Sequence, residues 1–348
     1  MRLKNYRTSI IIALTFALLI SAFWFFPSLA FICFISLLIH LLLYPLVNWL
    51  NRKMPRFAAA ALILGFFTAM AVGWLGLVSS TFVPTFTKFI TDFPDINEKI
   101  RNLAIIQNSD FLSSEVDNFL STLMKSGLET LTSSFDMFLS FFNKFIDAVI
   151  ILFVTFYLLK DGRDIENYIA RLFPHQDYFR VYHLFERILQ ALRKYVTSQL
   201  TICCLTGIIV FSYFTLRGLP YASVFAVMSG VAEFIPVLGP TVASVLGTIM
   251  AVTQDSWLAL QTAIFYLVLT QFNHNVIYPY LIGKSLNLHP IAIILGIILG
   301  GELLGAPGMF LAVPIIVICK LVIEDIYRDR LQVQSMIGES RWLRRDQS

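Results

Sequence analysis

Long apolar runs separated by short charged turns set the pattern of the chain from its beginning. Residues 9–26, 28–50 and 57–83 are apolar almost throughout, with Leu, Ile, Ala and Phe at helix-compatible spacing. Each approaches or exceeds the roughly 20 residues with which a helix crosses a bilayer core of about 30 Å. The first run follows Arg2, Lys4 and Arg7 and ends in Pro27-Ser28-Leu29-Ala30, which imitates a secretory signal. It is long for a signal core, closes on an aromatic belt, Phe23 to Phe26, and leads at once into a second span, so cleavage is not expected. Basic residues at the N-terminus and at Arg52, Lys53 and Arg56 place both ends of this first hairpin of spans in the cytoplasm.

From residue 84 to 143 the pattern changes. Phe86, Phe89, Ile90, Phe93, Ile96, Ile100 and Leu103 recur at three- and four-residue steps among charged residues, and a second set runs from Val116 to Phe138. These are amphipathic helices outside the membrane, lying on it or packed on a partner subunit, or else forming a small self-packed cap. A fourth span, residues 145–159, is expected to stop at Lys160-Asp161-Gly162-Arg163. A cytoplasmic stretch follows in which Arg163, Arg171, Arg180, Arg187, Arg193 and Lys194 interleave with Tyr168, Leu172, Phe173, Tyr182 and Leu192. Between two spans this reads as an amphipathic pair at the inner leaflet rather than as a nucleic-acid surface.

After a fifth span, residues 195–216, two apolar arms flank Glu233-Phe234-Ile235-Pro236-Val237-Leu238-Gly239-Pro240. The design recurs at Gly301-Glu302-Leu303-Leu304-Gly305-Ala306-Pro307-Gly308. Each arm is short for a crossing, and a pair of Gly/Pro-interrupted apolar segments in corresponding places marks a transport site near the bilayer midplane. Ordinary spanning helices with the same turns meet the same topological parity.

The expected class is therefore an all-α polytopic membrane protein with about eight helical membrane segments, two of them broken or re-entrant hairpins in the C-terminal half. Its segments are a three-span scaffold (1–83), an extracytoplasmic insert (84–143), a fourth span with basic helices (144–194), a transport domain (195–326) and a charged cytoplasmic tail (327–348). Both termini are expected in the cytoplasm of a cell with an inner membrane.

Composition agrees: of 348 residues 57% are hydrophobic and 14% charged, with a mean hydropathy of +0.74, where soluble domains carry about 25% charge. The net charge of +4 is spread over short flanks between apolar runs, which argues against nucleic acid as a partner. Cys33, Cys203, Cys204 and Cys319 lie in apolar stretches without metal or redox spacing, and no cofactor motif, P-loop or catalytic elbow is present. His40, alone in its run, reads as a packed and satisfied histidine.

The residues that stand out as a binding set are Glu233, Pro236 and Gly239 in the first interruption, Glu302 and Gly305 in the second, Gln271, Asn273 and Asn275 between them, and Gln199 in the fifth span. Ionisable groups at membrane depth are costly and serve ions, protons or polar solutes; their bland alternative is to cap broken-helix amides or to glue helices together.

Gly218-Leu219-Pro220, Glu233 to Pro240, Pro279 with Gly283-Lys284-Ser285, Leu288-His289-Pro290 and Gly300 to Pro314 together resemble the autoinducer-2 exporter family, the PerM-type permeases. The resemblance is dense over residues 195–324, while the first half agrees in its pattern of spans. It implies an inner-membrane permease that works as a homo-oligomer, with elevator-like movement of the hairpin domain, and members credited with export of autoinducer-2 or with sodium/proton exchange. Ser198 and Asn273 depart from the family pattern, in which a glycine and an acid are usual. The function expected is export of a small polar organic solute, with a sodium/proton antiporter and a non-transporting membrane scaffold as the alternatives.

Overall fold

The computed structural model describes residues 11–15, 17, 18, 21, 25–101, 145–171, 173, 178–235, 238–282 and 288–345. Pro236, Leu172, the Gly283-Lys284-Ser285 motif and the second apolar set of the insert lie outside these. Every regular element among the described residues is helical: α1 (Pro27–Leu50), α2 (Arg56–Arg101), α3 (Phe145–Arg171), α4 (Tyr178–Leu216), α5 (Ala222–Ala232), α6 (Leu238–Val252), α7 (Ser256–Phe272), a π turn (Asn273–Ile277), α8 (Tyr278–Ile282), α9 (Pro290–Leu304) and α10 (Ala306–Arg345).

Three of them are long and apolar enough to cross a membrane: Ser28–Leu50, Arg56–Trp74 and Tyr178–Leu216. Only 17% of the second window is buried, with Phe57, Leu62, Phe66, Met70 and Trp74 among its exposed side chains. In water that face would be an aggregation site; in lipid it is the solvent-matched one.

Two boundaries differ from the sequence pattern. The helix of the third span does not stop before Pro84, because α2, 46 residues in all and about 69 Å long at 1.5 Å per residue, runs through it. Nor does Gly162 end α3, which runs on to Arg171. A Cβ at Gly162 would lie 3.3 Å from the His40 ring, so the missing side chain makes room for histidine instead of breaking the helix.

Contacts divide the chain into two units, each discontinuous in sequence: Met1–Ile63, Ile150–Val196 and Ser285–Ser348 form one, Leu64–Val149 and Thr197–Lys284 the other. In the first, Thr155 Oγ1 donates to the Ser36 carbonyl at 3.3 Å, binding α1 to α3 through a buried polar bond, and Ser36 Oγ, which donates to the Ile32 carbonyl at 2.8 Å, lies 3.4 Å from the Ile151 carbonyl. Phe34 and Leu38 of α1 share a core with Leu311 of α10. Helices α9 and α10 approach so closely that a Cβ on either Gly300 or Gly308 would overlap the other's carbonyl. Arg180 pairs with Asp325 at 2.8 Å, and Arg187 with Glu324 at 3.5 Å, which ties the basic start of α4 to α10.

In the second unit α4 ends in a Schellman motif. Gly218 takes φ +65°, the Leu219 amide donates to the Phe214 carbonyl at 2.9 Å and the Gly218 amide to Thr215 at 3.2 Å. Three residues on, Tyr221 also takes a left-handed backbone, φ 58°, costly for a residue with a Cβ. Its hydroxyl donates to the Asp92 carboxylate and its ring packs edge-on against Phe89, both from α2. Phe86 and Phe89 are buried against α4, α5 and α6, so these two members of the first amphipathic set pack on their own chain.

Candidate functional site

Glycine brings α4 and α5 into near backbone contact. A Cβ on Gly230 would stand 2.9 Å from the Cys203 carbonyl, and one on Gly207 would stand 3.2 Å from the Ala226 carbonyl. This approach delivers the end of α5, where Glu233 is 4% exposed, to the polar face of α4. Gly239 closes the turn beyond, because any side chain there would overlap the Ala232 carbonyl.

Four polar side chains meet at this point. Thr206 Oγ1 donates to Glu233 Oε1 at 3.0 Å, and Asn273 Nδ2 lies 2.9 Å from both Glu233 Oε1 and Thr206 Oγ1. Gln199 Nε2 donates to the main-chain carbonyl of Glu233 at 2.7 Å, capping a carbonyl freed where α5 ends. Gln199, Thr206 and Asn273 are all at most 3% exposed. Asn273 begins the π turn, whose extra residue per turn shifts the register of the following side chains; such bulges recur at functional sites.

The cluster is oxygen-rich and incomplete. Among the described residues no basic side chain pairs with Glu233, and Gln199 Oε1 and Asn273 Oδ1 are buried without a hydrogen-bond partner. Their amide orientations are fixed by the acceptors that their nitrogens face, so the open atoms are acceptors. Tyr278 and Cys203 lie beside the Gln199 side chain and interact with it, while its Oε1 has no hydrogen-bond partner. No group of three or more His, Cys, Asp or Glu able to hold a metal occurs among the described residues.

Further along the same helices, Ser229 Oγ and Tyr266 OH stand 3.2 Å apart and Tyr213 OH and Thr262 Oγ1 3.1 Å apart. These pairs satisfy each other, whereas two oxygens at the Glu233 cluster stay open.

Gln199, Glu233 and Asn273 therefore converge. Gln271 and Asn275 do not join them; both are exposed on another face and bond to each other at 3.0 Å. Pro236 lies outside the described residues. Glu302 is exposed on α9 and Gly305 follows it with φ +64°, both in the other unit. Thr206 is a member that the sequence reading missed. It stands seven residues, two helical turns, after Gln199, so helical spacing from Gln199 was the available signal.

The sequence model of the AI-2E family transporters matches residues 12–328, nearly the whole chain and all of this cluster. The chain belongs to the AI-2E transporter family. Its relatives include two Bacillus subtilis proteins described as transport proteins: YueF, 28% identical over 91% of this chain and 89% of its own length, and YrrI, 28% identical over 90% and 91%. The permease PerM of Escherichia coli is 24% identical over 86% of this chain and 88% of its own. Family membership and the apolar spans make this AI-2E protein a membrane transport protein, not an enzyme.

Proposed function

We propose that this AI-2E family chain is a secondary or facilitated transporter that exports a small polar organic solute, autoinducer-2 among the cargoes that the family name raises. In this reading the C-terminal domain, residues 195–326, alternates access as part of a homo-oligomer in the inner membrane, with both termini cytoplasmic. The chain has about eight membrane segments, and the pairs α5/α6 and α9/α10 re-enter the bilayer rather than cross it. The observation that carries the reading is the buried Glu233 carboxylate flanked by the open oxygens of Gln199 and Asn273. A carboxylate at membrane depth costs on the order of 3 kcal/mol, and open acceptors add to that cost. A solute with several hydroxyls supplies the missing donors at once, while Thr206 and Asn273 hold the carboxylate in place. Glu302, in the other interrupted pair, is proposed as a further solute-binding residue.

The same atoms favour a second reading. One carboxylate among neutral oxygens, with no nitrogen or sulfur ligand set, suits a hard monovalent cation, and so supports sodium/proton antiport.

Purified protein in liposomes separates them. Efflux of labelled autoinducer-2 that is lost in Glu233→Ala and Asn273→Leu, with protein still inserted, is the expected result. Sodium-dependent proton flux lost in the same variants would install the antiporter instead. Solute transport undiminished in both variants would remove this cluster from the path, and Glu302→Ala tests the second pair in the same assay.

A further inference from the structure

The first unit contains a second group of polar side chains, at the basic ends of its helices, for which transport chemistry has no use. Arg56, the first residue of α2, donates from Nε to the Leu159 carbonyl at 2.9 Å. Arg163 Nε of α3 donates to Tyr44 Oη of α1 at 3.3 Å, and the Arg193 guanidinium of α4 lies over the Tyr44 ring, 4.3 Å from its centroid. His40, one turn before Tyr44, packs edge-on to it and is 3% exposed.

Three guanidiniums thus gather around Tyr44 and His40, and the Glu166 carboxyl feels the charge of all three. Among the described residues no carboxylate comes within 4.0 Å of Arg56, Arg163 or Arg193. Burial holds the Glu166 carboxyl above its usual range against the pull of Arg163 and Arg193, and it makes no ion pair with them. Arg56 Nη2, Arg193 Nε and His40 Nδ1 are buried without a partner. The histidine is thus not the satisfied one that the sequence leads one to expect. Buried guanidinium N–H groups without an acceptor are more costly than neutral ones, so the arrangement lacks an anion.

We propose that this pocket holds a phosphate group. Guanidinium forks match phosphate oxygens, and three from three helices can surround one. The surroundings place the pocket at headgroup depth: Trp49 and Phe57 are exposed at either end of the Asn51–Pro55 turn, and Lys53 lies over the Trp49 ring at 5.6 Å. Aromatic and basic side chains in that combination mark a membrane interface, and basic pockets between spans on the cytoplasmic side take lipid headgroups. An anionic phospholipid and free phosphate offer the same chemistry, and the test separates them. Bound there, the phosphate would bridge α1, α2, α3 and α4 and hold the spans of this unit together.

The test uses the full-length protein in detergent, titrated with phosphatidylglycerol, phosphatidylcholine or inorganic phosphate while thermal unfolding is followed. Phosphatidylglycerol should raise the midpoint where phosphatidylcholine does not, and Arg193→Gln should weaken that effect roughly tenfold or more in concentration, the worth of one buried charged hydrogen bond. The exposed Arg52→Gln should leave it unchanged. A response to inorganic phosphate alone would keep the pocket and assign it to a soluble anion. Equal responses to both lipids with none to phosphate, or equal weakening by Arg52→Gln and Arg193→Gln, would overturn the proposal. Should Arg193→Gln fail to fold, native mass spectrometry of the wild type decides: retention of phosphatidylglycerol no greater than of phosphatidylcholine refutes it.

Discussion

Asn273→Leu removes both donors that Asn273 aims at the Glu233 cluster while keeping nearly the same volume. The bond from Nδ2 to Glu233 Oε1, at 2.9 Å, is charge-assisted, and the one to Thr206 Oγ1, also 2.9 Å, is neutral. The first is worth about 1.5–3 kcal/mol and the second about 0.5–1.5 kcal/mol in water-soluble proteins. Interhelical bonds in membranes average nearer 0.6 kcal/mol because the unfolded chain in lipid also finds partners. The carboxylate also keeps a single side-chain donor, Thr206, in a buried site, so the expected loss is about 2–4 kcal/mol. Asn275→Leu is the control: Asn275 is exposed and bonds to Gln271 alone, so its loss should stay within about 0.5 kcal/mol. Both variants are compared by equilibrium unfolding in mixed detergent micelles. If Asn273→Leu is no less stable than Asn275→Leu, the cluster is not a coupled, buried unit and the site loses its physical basis.

Gly230→Ala should destabilise by about 1–3 kcal/mol, since its Cβ would press on the Cys203 carbonyl and part α4 from α5; Gly73→Ala, with nothing within 4 Å, should be near neutral, and detergent thermal midpoints compare the two. Tyr221→Phe should change the alkaline limb of the stability curve. Burial, then the Asp92 carboxylate, pushes the Tyr221 phenol up to about 12 from its ordinary 10, so the folded state binds the proton more tightly than the unfolded one. That stabilisation is complete below pH 10 and is lost as pH rises towards 12, so the wild type should steepen in that window and the phenylalanine variant should not.

Membrane class, helical content and the two interrupted regions could be read directly from residue order, because hydrocarbon demands internally bonded helices of a set length and tolerates Gly/Pro breaks only in company. The Schellman stop at Gly218 was equally local, as a left-handed residue asks for glycine. Helix ends were less so: Gly162 looked like a break, yet helix runs through it, since neighbouring packing outweighs a weak local preference. The site was half visible. The types in Gln199, Glu233 and Asn273 marked them as unusual in apolar sequence, but so did those in Gln271 and Asn275, and only their direction separates the two groups. Which face of a helix turns inward depends on the π turn at Asn273 and on the glycine contact of α4 with α5, and neither leaves a trace in hydrophobic periodicity. The guanidinium pocket around Tyr44 was invisible for the same reason: its members come from segments far apart in the chain, and charge becomes chemistry only where packing brings it together and withholds its partner.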